Sequence, residues 1–269
     1  MKLEQASPPP PLRDHVRCFQ QRRAKIGDTP IVYPITARTD QFLEFYLQGR
    51  YVVRFGEAGR QELAPRAVVV GPSTRRLADL VLRAELDVFT VQCGPAGFYK
   101  LFGTPMNEFA DQAYDAHSVI GPVLAELEQR LADASSFEER TCVAGDFLRQ
   151  RLDEIGRPDG VSEFADRFLV GRGAISVGDA ALKAGLSVRQ FERRFCRQVG
   201  VAPKLYARIV RFNTALAAKA STTRRQWTDI AHAFGYYDQM HMIRDFEDFA
   251  GESPTAFMRR LSAMPEAWG

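Results

Sequence analysis

Ala180-Ala181-Leu182-Lys183-Ala184-Gly185-Leu186 and Ile230-Ala231-His232-Ala233-Phe234-Gly235-Tyr236 are two versions of one pattern, and the correspondence runs on beyond them. Ala181 and Gly185 recur 50 residues later as Ala231 and Gly235. Phe195, Gly200, Pro203 and Tyr206 recur 51 residues later as Phe246, Gly251, Pro254 and Phe257. The extra residue falls between the glycine and the next helix, where a loop absorbs it. Two copies are too few for a solenoid, so the last third of the chain is a duplicated supersecondary unit.

Each copy reads as helix, glycine turn, helix. In the first, Ser176 caps a short helix with Asp179 three residues on, and Gly185 takes the chain out of it through a left-handed conformation. Ser187 and Gln190 form the next capping box. Val188, Phe191, Phe195 and Val199 then make a stripe that predicts a core-facing helix over 188–199. At about 100° per residue the opposite face carries Arg189, Arg193 and Arg197, with Glu192 on its shoulder. A tight turn leading into a helix with a basic outer face is the layout that enters a DNA major groove, where the arginine fork donates to guanine O6 and N7. A solvated arginine face on an ordinary helix is the other reading of this copy alone. The second copy repeats the design with Asp238 as N-cap and Met242 and Phe246 in the core. Met240, Ile243 and Arg244 then point outward where Arg189, Glu192 and Arg193 do in the first. Asp245, Glu247 and Asp248 against Arg244 make this helix acidic, whereas four arginines against Glu192 make the first basic. The first unit is therefore expected to grip DNA and the second to read it weakly, mainly through Gln239 and Arg244.

These residues resemble the DNA-binding region of AraC/XylS-type transcriptional regulators. The match runs through Ala181-x3-Gly185-Leu186-Ser187, Phe195, Gly200-Val201-Ala202-Pro203 and Tyr206, then Arg211-Phe212-x2-Ala215-Leu216. It ends with Ile230-Ala231-x3-Gly235-Tyr236, Phe246 and Gly251-Glu252-Ser253-Pro254-x2-Phe257. Tyr236 stands where phenylalanine is usual, and Met240 and Ile243 suit thymine methyl groups better than polar base edges. The resemblance implies seven helices, with two helix-turn-helix units joined by a long helix, here Leu205 to about Lys219. It implies base contacts by Arg189, Glu192, Arg193, Gln239, Met240, Ile243 and Arg244. Phosphate contacts are expected from Ser187, Arg197, Arg208, Arg211, Arg224 and Arg225, with Lys219 a further candidate. Two reading helices would enter successive major grooves about 34 Å apart.

Charge is distributed accordingly. The chain of 269 residues carries a net charge of only +3, yet residues 175–261 hold fourteen Lys and Arg against eight Asp and Glu, leaving the remainder mildly acidic. Such an asymmetry fits nucleic acid on one domain and something else on the other. Between Phe42 and Cys93 the pattern changes to short strands at 42–47, 51–55, 67–70, 77–82 and 86–93, and Gly49 signals a hairpin between the first two. Their spacing suggests a small barrel or sandwich, and the resemblance favours a cupin-like barrel that senses a small molecule. Val123, Leu124, Leu127 and Leu131 stripe one following helix, and a second covers 137–152. In the family such helices often make a dimer interface; packing on their own barrel is the alternative. Gly156-Arg157-Pro158-Asp159-Gly160 reads as a linker, and Ser162 as the cap of a helix to Val170.

The expected protein is thus α+β: a small N-terminal β-barrel with flanking helices, then an all-α domain with two helix-turn-helix units. Residues 1–155 form an effector-sensing or dimerisation domain, 156–160 a linker, 161–261 the DNA-binding domain and 262–269 a tail. Expected partners are double-stranded DNA, RNA polymerase, a small-molecule effector and a second copy of the chain. Cys18, Cys93, Cys142 and Cys196 are scattered, against a zinc site and consistent with reduced cytoplasmic thiols. His15, His117, His232 and His241 lie in no metal-ligand spacing. No P-loop, G-x-S-x-G or H-E-x-x-H occurs, and Gly171-Arg172-Gly173 is too slight for a phosphate cradle. No signal peptide or membrane span is read. A regulator needing no cofactor or metal, an activator by its family's habit, is the resulting expectation rather than an enzyme. A protein-interaction module on the same helices, or a DNA-alkylation repair protein using reactive cysteines, are the rival readings.

Overall fold

Alternation of apolar and polar residues places successive side chains on opposite faces of a strand, and nine strands fill residues 2–93, beginning earlier than residue 42. The computed structural model describes residues 2–56, 59–155, 161–171, 176–222 and 225–262. Its strands are β1 (Lys2–Ala6), β2 (Val16–Lys25), β3 (Ile31–Ile35), β4 (Gln41–Gln48), β5 (Val52–Phe55), β6 (Arg60–Leu63), β7 (Ala67–Val70), β8 (Ala78–Leu82), β9 (Glu85–Cys93) and β10 (Ala113–Asp115). They form two antiparallel sheets, ordered β1-β2-β9-β4-β7-β10 and β3-β8-β5-β6. The expected barrel is corrected here: the edge strands do not pair, so neither sheet closes.

The expected hairpin about Gly49 is also absent. β4 pairs with β7 and β9, while β5 pairs with β6 and β8 in the other sheet. Gly49 carries the chain between the sheets at φ 64°, and a Cβ there would lie 2.2 Å from the Glu85 carbonyl oxygen. Local alternation marks each strand but not its partner, which is a long-range property. β1 and β2 carry too many polar residues for a clean alternation, Glu4, Gln20, Arg22 and Arg23 among them, and the apolar β3 is interrupted by Pro34, which cannot donate to a ladder.

One face of the six-stranded sheet, including Phe19, Leu43, Phe45, Phe89 and Val91, meets helices α1 (Gly97–Phe102), α2 (Ala116–Ile120), α3 (Val123–Asp133) and α4 (Phe137–Ile155) in one core. Leu124, Leu127 and Leu131 face that core, so this stripe packs within its own chain. The opposite face brings Tyr46, Val68 and Val88 toward Leu82 and Tyr51 between the sheets.

Seven helices follow among the described residues: α5 (Ser162–Val170), α6 (Val177–Lys183), α7 (Val188–Val199), α8 (Pro203–Ser221), α9 (Trp227–Ala233), α10 (Gln239–Ala250) and α11 (Pro254–Ser262). Ser162 does not cap α5; Val161 holds that position and Ser162 is buried in the first turn. The linker at 156–160 lies outside the described residues, as do 263–269 of the tail and Arg172 and Gly173. Two cores divide the helices. Phe164, Phe168, Phe191, Phe195 and Tyr206 build one about the first unit. Phe212, Met242, Phe246, Phe249 and Phe257 build the other about the second, and Ala37 of the sheet domain joins it. The central helix α8 contributes to both, Tyr206 to one and Phe212 to the other, which is how it joins them. No helix among the described residues is long and apolar enough to cross a membrane.

Candidate nucleic-acid interface

Helices α7 and α10 start and stop where their sequence dictates. Ser187 accepts from the Gln190 amide at 3.3 Å while the Gln190 side chain accepts from the Ser187 amide at 3.1 Å, a complete capping box on α7. Asp238 caps α10 by accepting from the His241 amide at 2.7 Å. Gly185, Gly200, Gly235 and Gly251 all have positive φ, so both turns and both helix ends use the same device.

Phe191, Phe195 and Val199 are buried, which turns Arg189, Glu192, Arg193, Arg194 and Arg197 outward, all exposed. Val188, expected in the core, is 46% exposed at the first position of α7. On α10, burial of Met242 and Phe246 leaves Gln239, Met240 and Arg244 exposed and Ile243 half-buried. Tyr237, just ahead of the cap, is 89% exposed. Val188, Tyr237 and Met240 therefore give each unit an exposed apolar tip beside its outward polar residues. Tyr237 was missed because an aromatic next to a glycine turn carries no periodic signal.

The phosphate candidates divide. Ser187, Arg197 and Arg225 are exposed, and Arg224 lies outside the described residues. Arg208 and Arg211 bind carboxylates of α10. Arg208 donates to Asp245 through Nη2 at 2.7 Å and Nε at 3.1 Å, and to Asp248 at 2.7 Å. Arg211 reaches Asp245 at 3.4 Å and lies over the Tyr236 ring. Asp245 is fully buried. Two of the three acids on α10, Asp245 and Asp248, thus pair with arginines of α8, and Asp248 stays exposed. Of the acidity read from the sequence, Asp245 alone lies in the interior, while Glu247 and Asp248 are exposed. Lys219 donates to the Arg225 carbonyl and lies over Trp227, fixing the turn between α8 and α9. His241 is structural too, accepting from the Tyr237 amide at 3.5 Å and set edge-on to Tyr236.

Cys18 and Cys93 do not suit an alkyl acceptor, which needs a stabilised thiolate. Burial pushes Cys93 up to about 12, and burial also raises Cys18 against the pull of its hydrogen bond and of Arg17 and Arg22.

Residues 180–260 match a family described as a helix-turn-helix domain, and residues 4–115 match a domain of unknown function, DUF6597. No curated protein matched the chain. Among solved structures, ToxT from Vibrio cholerae in a P21 crystal form is similar with a TM-score of 0.50 at 10% identity, over 90% of this chain and 98% of that one. Wild-type ToxT bound to an unsaturated fatty acid gives 0.50 at 11% identity, over 92% and 96%. At such identity the likeness is one of fold, a sheet domain followed by a helical one. Together with the repeated units and their glycine exits, the family match shows that residues 180–260 form a helix-turn-helix domain of AraC type, as DNA-binding transcription regulators carry.

Proposed function

We propose that the protein is a sequence-specific transcription regulator that lays α7 and α10 into neighbouring major grooves of double-stranded DNA. Arg189, Glu192 and Arg193 read bases from α7, and Gln239, Met240, Ile243 and Arg244 from α10. Ser187, Arg197, Arg225 and Arg224 hold phosphates. The observation that carries this reading is the exposed arginine face of α7, set opposite a wholly buried phenylalanine stripe. Arg193→Ala is expected to weaken the preferred site by about 1–3 kcal/mol and relax one base position. Sites selected from random duplexes by the full chain, then titrated with wild type and variant, test this. Equal affinity for the selected site would remove α7 from the assignment. Wild-type binding whose strength does not fall with added salt would favour the protein-interaction reading, since phosphate contacts release counterions.

The sheet domain is proposed to sense an effector, as the fatty acid held by one ToxT structure suggests by likeness of fold. Arg38 supports this. It is half-buried over the Phe42 ring at 4.8 Å, burial lowers its pKa, and its Nε has no hydrogen-bond partner among the described residues. An acidic ligand would supply one.

A further inference from the structure

Residues 36–40 cross from β3 to β4, and alternate side chains of this stretch and the start of β4 do different things. Ala37, Thr39 and Gln41 are all buried, whereas Arg38 and Asp40 are half-buried on the other side. The buried set meets three elements of the helical domain in turn. The Ala37 amide donates to the Phe249 carbonyl at 2.9 Å, on the last turn of α10. Thr39 faces the Tyr206 hydroxyl on α8. Gln41 Nε2 donates to the Val199 carbonyl at 3.1 Å, on the last turn of α7, and to the Pro95 carbonyl at 2.6 Å.

The other side ties this strap to the sheets. Arg38 and Ser73 exchange both backbone hydrogen bonds, at 2.8 and 2.9 Å, and Asp40 accepts from Arg17 and Gln92. The segment after β7, thus bound to the strap, reaches the same two helix ends. A Cβ on Gly200 would lie 2.7 Å from Pro72, and one on Gly251 would lie 3.3 Å from Arg76. Each reading helix is held at its C-terminal glycine by the same pair of loops. Ala37 and Gln41 are four residues apart, about 13 Å in extended chain, so the loops act as a short gauge between the helices.

We propose that this strap makes the sheet domain a determinant of half-site spacing, with Gln41 as a positioning residue for α7. It touches no base; it fixes where the two reading helices stand relative to each other. This inference rests on the DNA-reading function proposed above. Full-length protein should be titrated against duplexes carrying the selected half-sites at their native separation and with one or two base pairs inserted or removed. Wild type is expected to lose about tenfold or more per inserted base pair. Gln41→Ala is expected to lose threefold or less, on the order of 0.6 kcal/mol, with base preferences within each half-site unchanged. Arg76→Ala, which loosens the grip on α10 while Arg54 keeps Asp79 paired, should flatten the profile likewise and serves if Gln41→Ala fails to fold. Spacing profiles of the folded variants that coincide with wild type overturn the inference.

A second measurement needs no DNA. Spin labels at Arg194→Cys and Glu247→Cys, with Cys142→Ser and Cys196→Ala removing native sites, report the distance between α7 and α10. One narrow distance in the parent and a broadened distribution with Gln41→Ala are expected; identical distributions overturn the strap. Absence of salt-dependent DNA binding by wild type would instead sink the proposed function and leave this measurement to judge the strap.

Discussion

Asp245 shows how one side chain changes the meaning of a helix. Counted along the sequence it makes α10 look repelled by DNA; in the fold its carboxylate is buried and held by Arg208 and Arg211. Removing one partner of a buried pair leaves uncompensated charge, and both arginines here keep some access to water. Asp245→Ala is therefore expected to cost about 3 kcal/mol, the low end of the range for such breaks, measured by urea unfolding. A loss below about 1 kcal/mol, the size of a surface pair, would mean the contact is not structural. His15 gives a pH dependence. Burial first and Lys100 second hold its pKa below the usual 6.5, against Asp14. The folded chain thus binds fewer protons than the unfolded one as pH falls through 6.5, and stability present above that value is lost below it. Melting temperature should drop between pH 7.5 and 5.5, and less steeply in His15→Gln; parallel curves would clear His15 of the effect.

At the scale of the element, the reading helices are defined by their ends. The capping box on α7 satisfies amides that have no partner within the helix, and Ser187→Ala should lower stability by about 1 kcal/mol. Thermal unfolding checks this, and Ser187→Asn, which keeps a capping oxygen, should recover most of it. Gly200 is under two constraints at once, a φ of 99° and the approach of Pro72 and the Met106 carbonyl. Its left-handed conformation is legible from sequence spacing, but the close approach is not, since residues 72 and 106 are remote. Gly200→Ala is expected to destabilise more than Gly185→Ala, whose added Cβ meets nothing within 4 Å, although both carry the positive-φ cost. Equal losses would mean the packing at Gly200 relaxes freely.

Over the whole molecule, the two domains share surfaces: Ala37 sits in the core of the second helical unit and Ala96 in that of the first. DNA binding should therefore report on both domains, through contacts that salt weakens and a geometry that it does not. Arg225, exposed ahead of α9, is expected to contribute one phosphate contact, so Arg225→Ala should reduce the salt slope by about one while leaving base preference unchanged. An unchanged slope would take Arg225 out of the contact set. Under the proposed strap the sheet domain would add its part through Gln41, whose amide reaches from β4 to Val199 of α7.

The sequence by itself determined the duplicated helical unit, the caps of α6, α7 and α10, the glycine exits and the outward arginines of α7, because these follow from spacings of three to five residues that hydrogen bonds and helical geometry impose locally. Strands β4, β5, β7, β8 and β9 were legible for the same reason, from alternation. Tertiary structure alone decided that the sheets stay open, that Gly49 passes between them, and that Arg208 and Arg211 face inward to Asp245. It also decided that Gln41 reaches Val199 across 158 residues of chain. Each of these is a pairing between distant segments, and a strand or a charge carries no local mark of the partner that packing will bring to it.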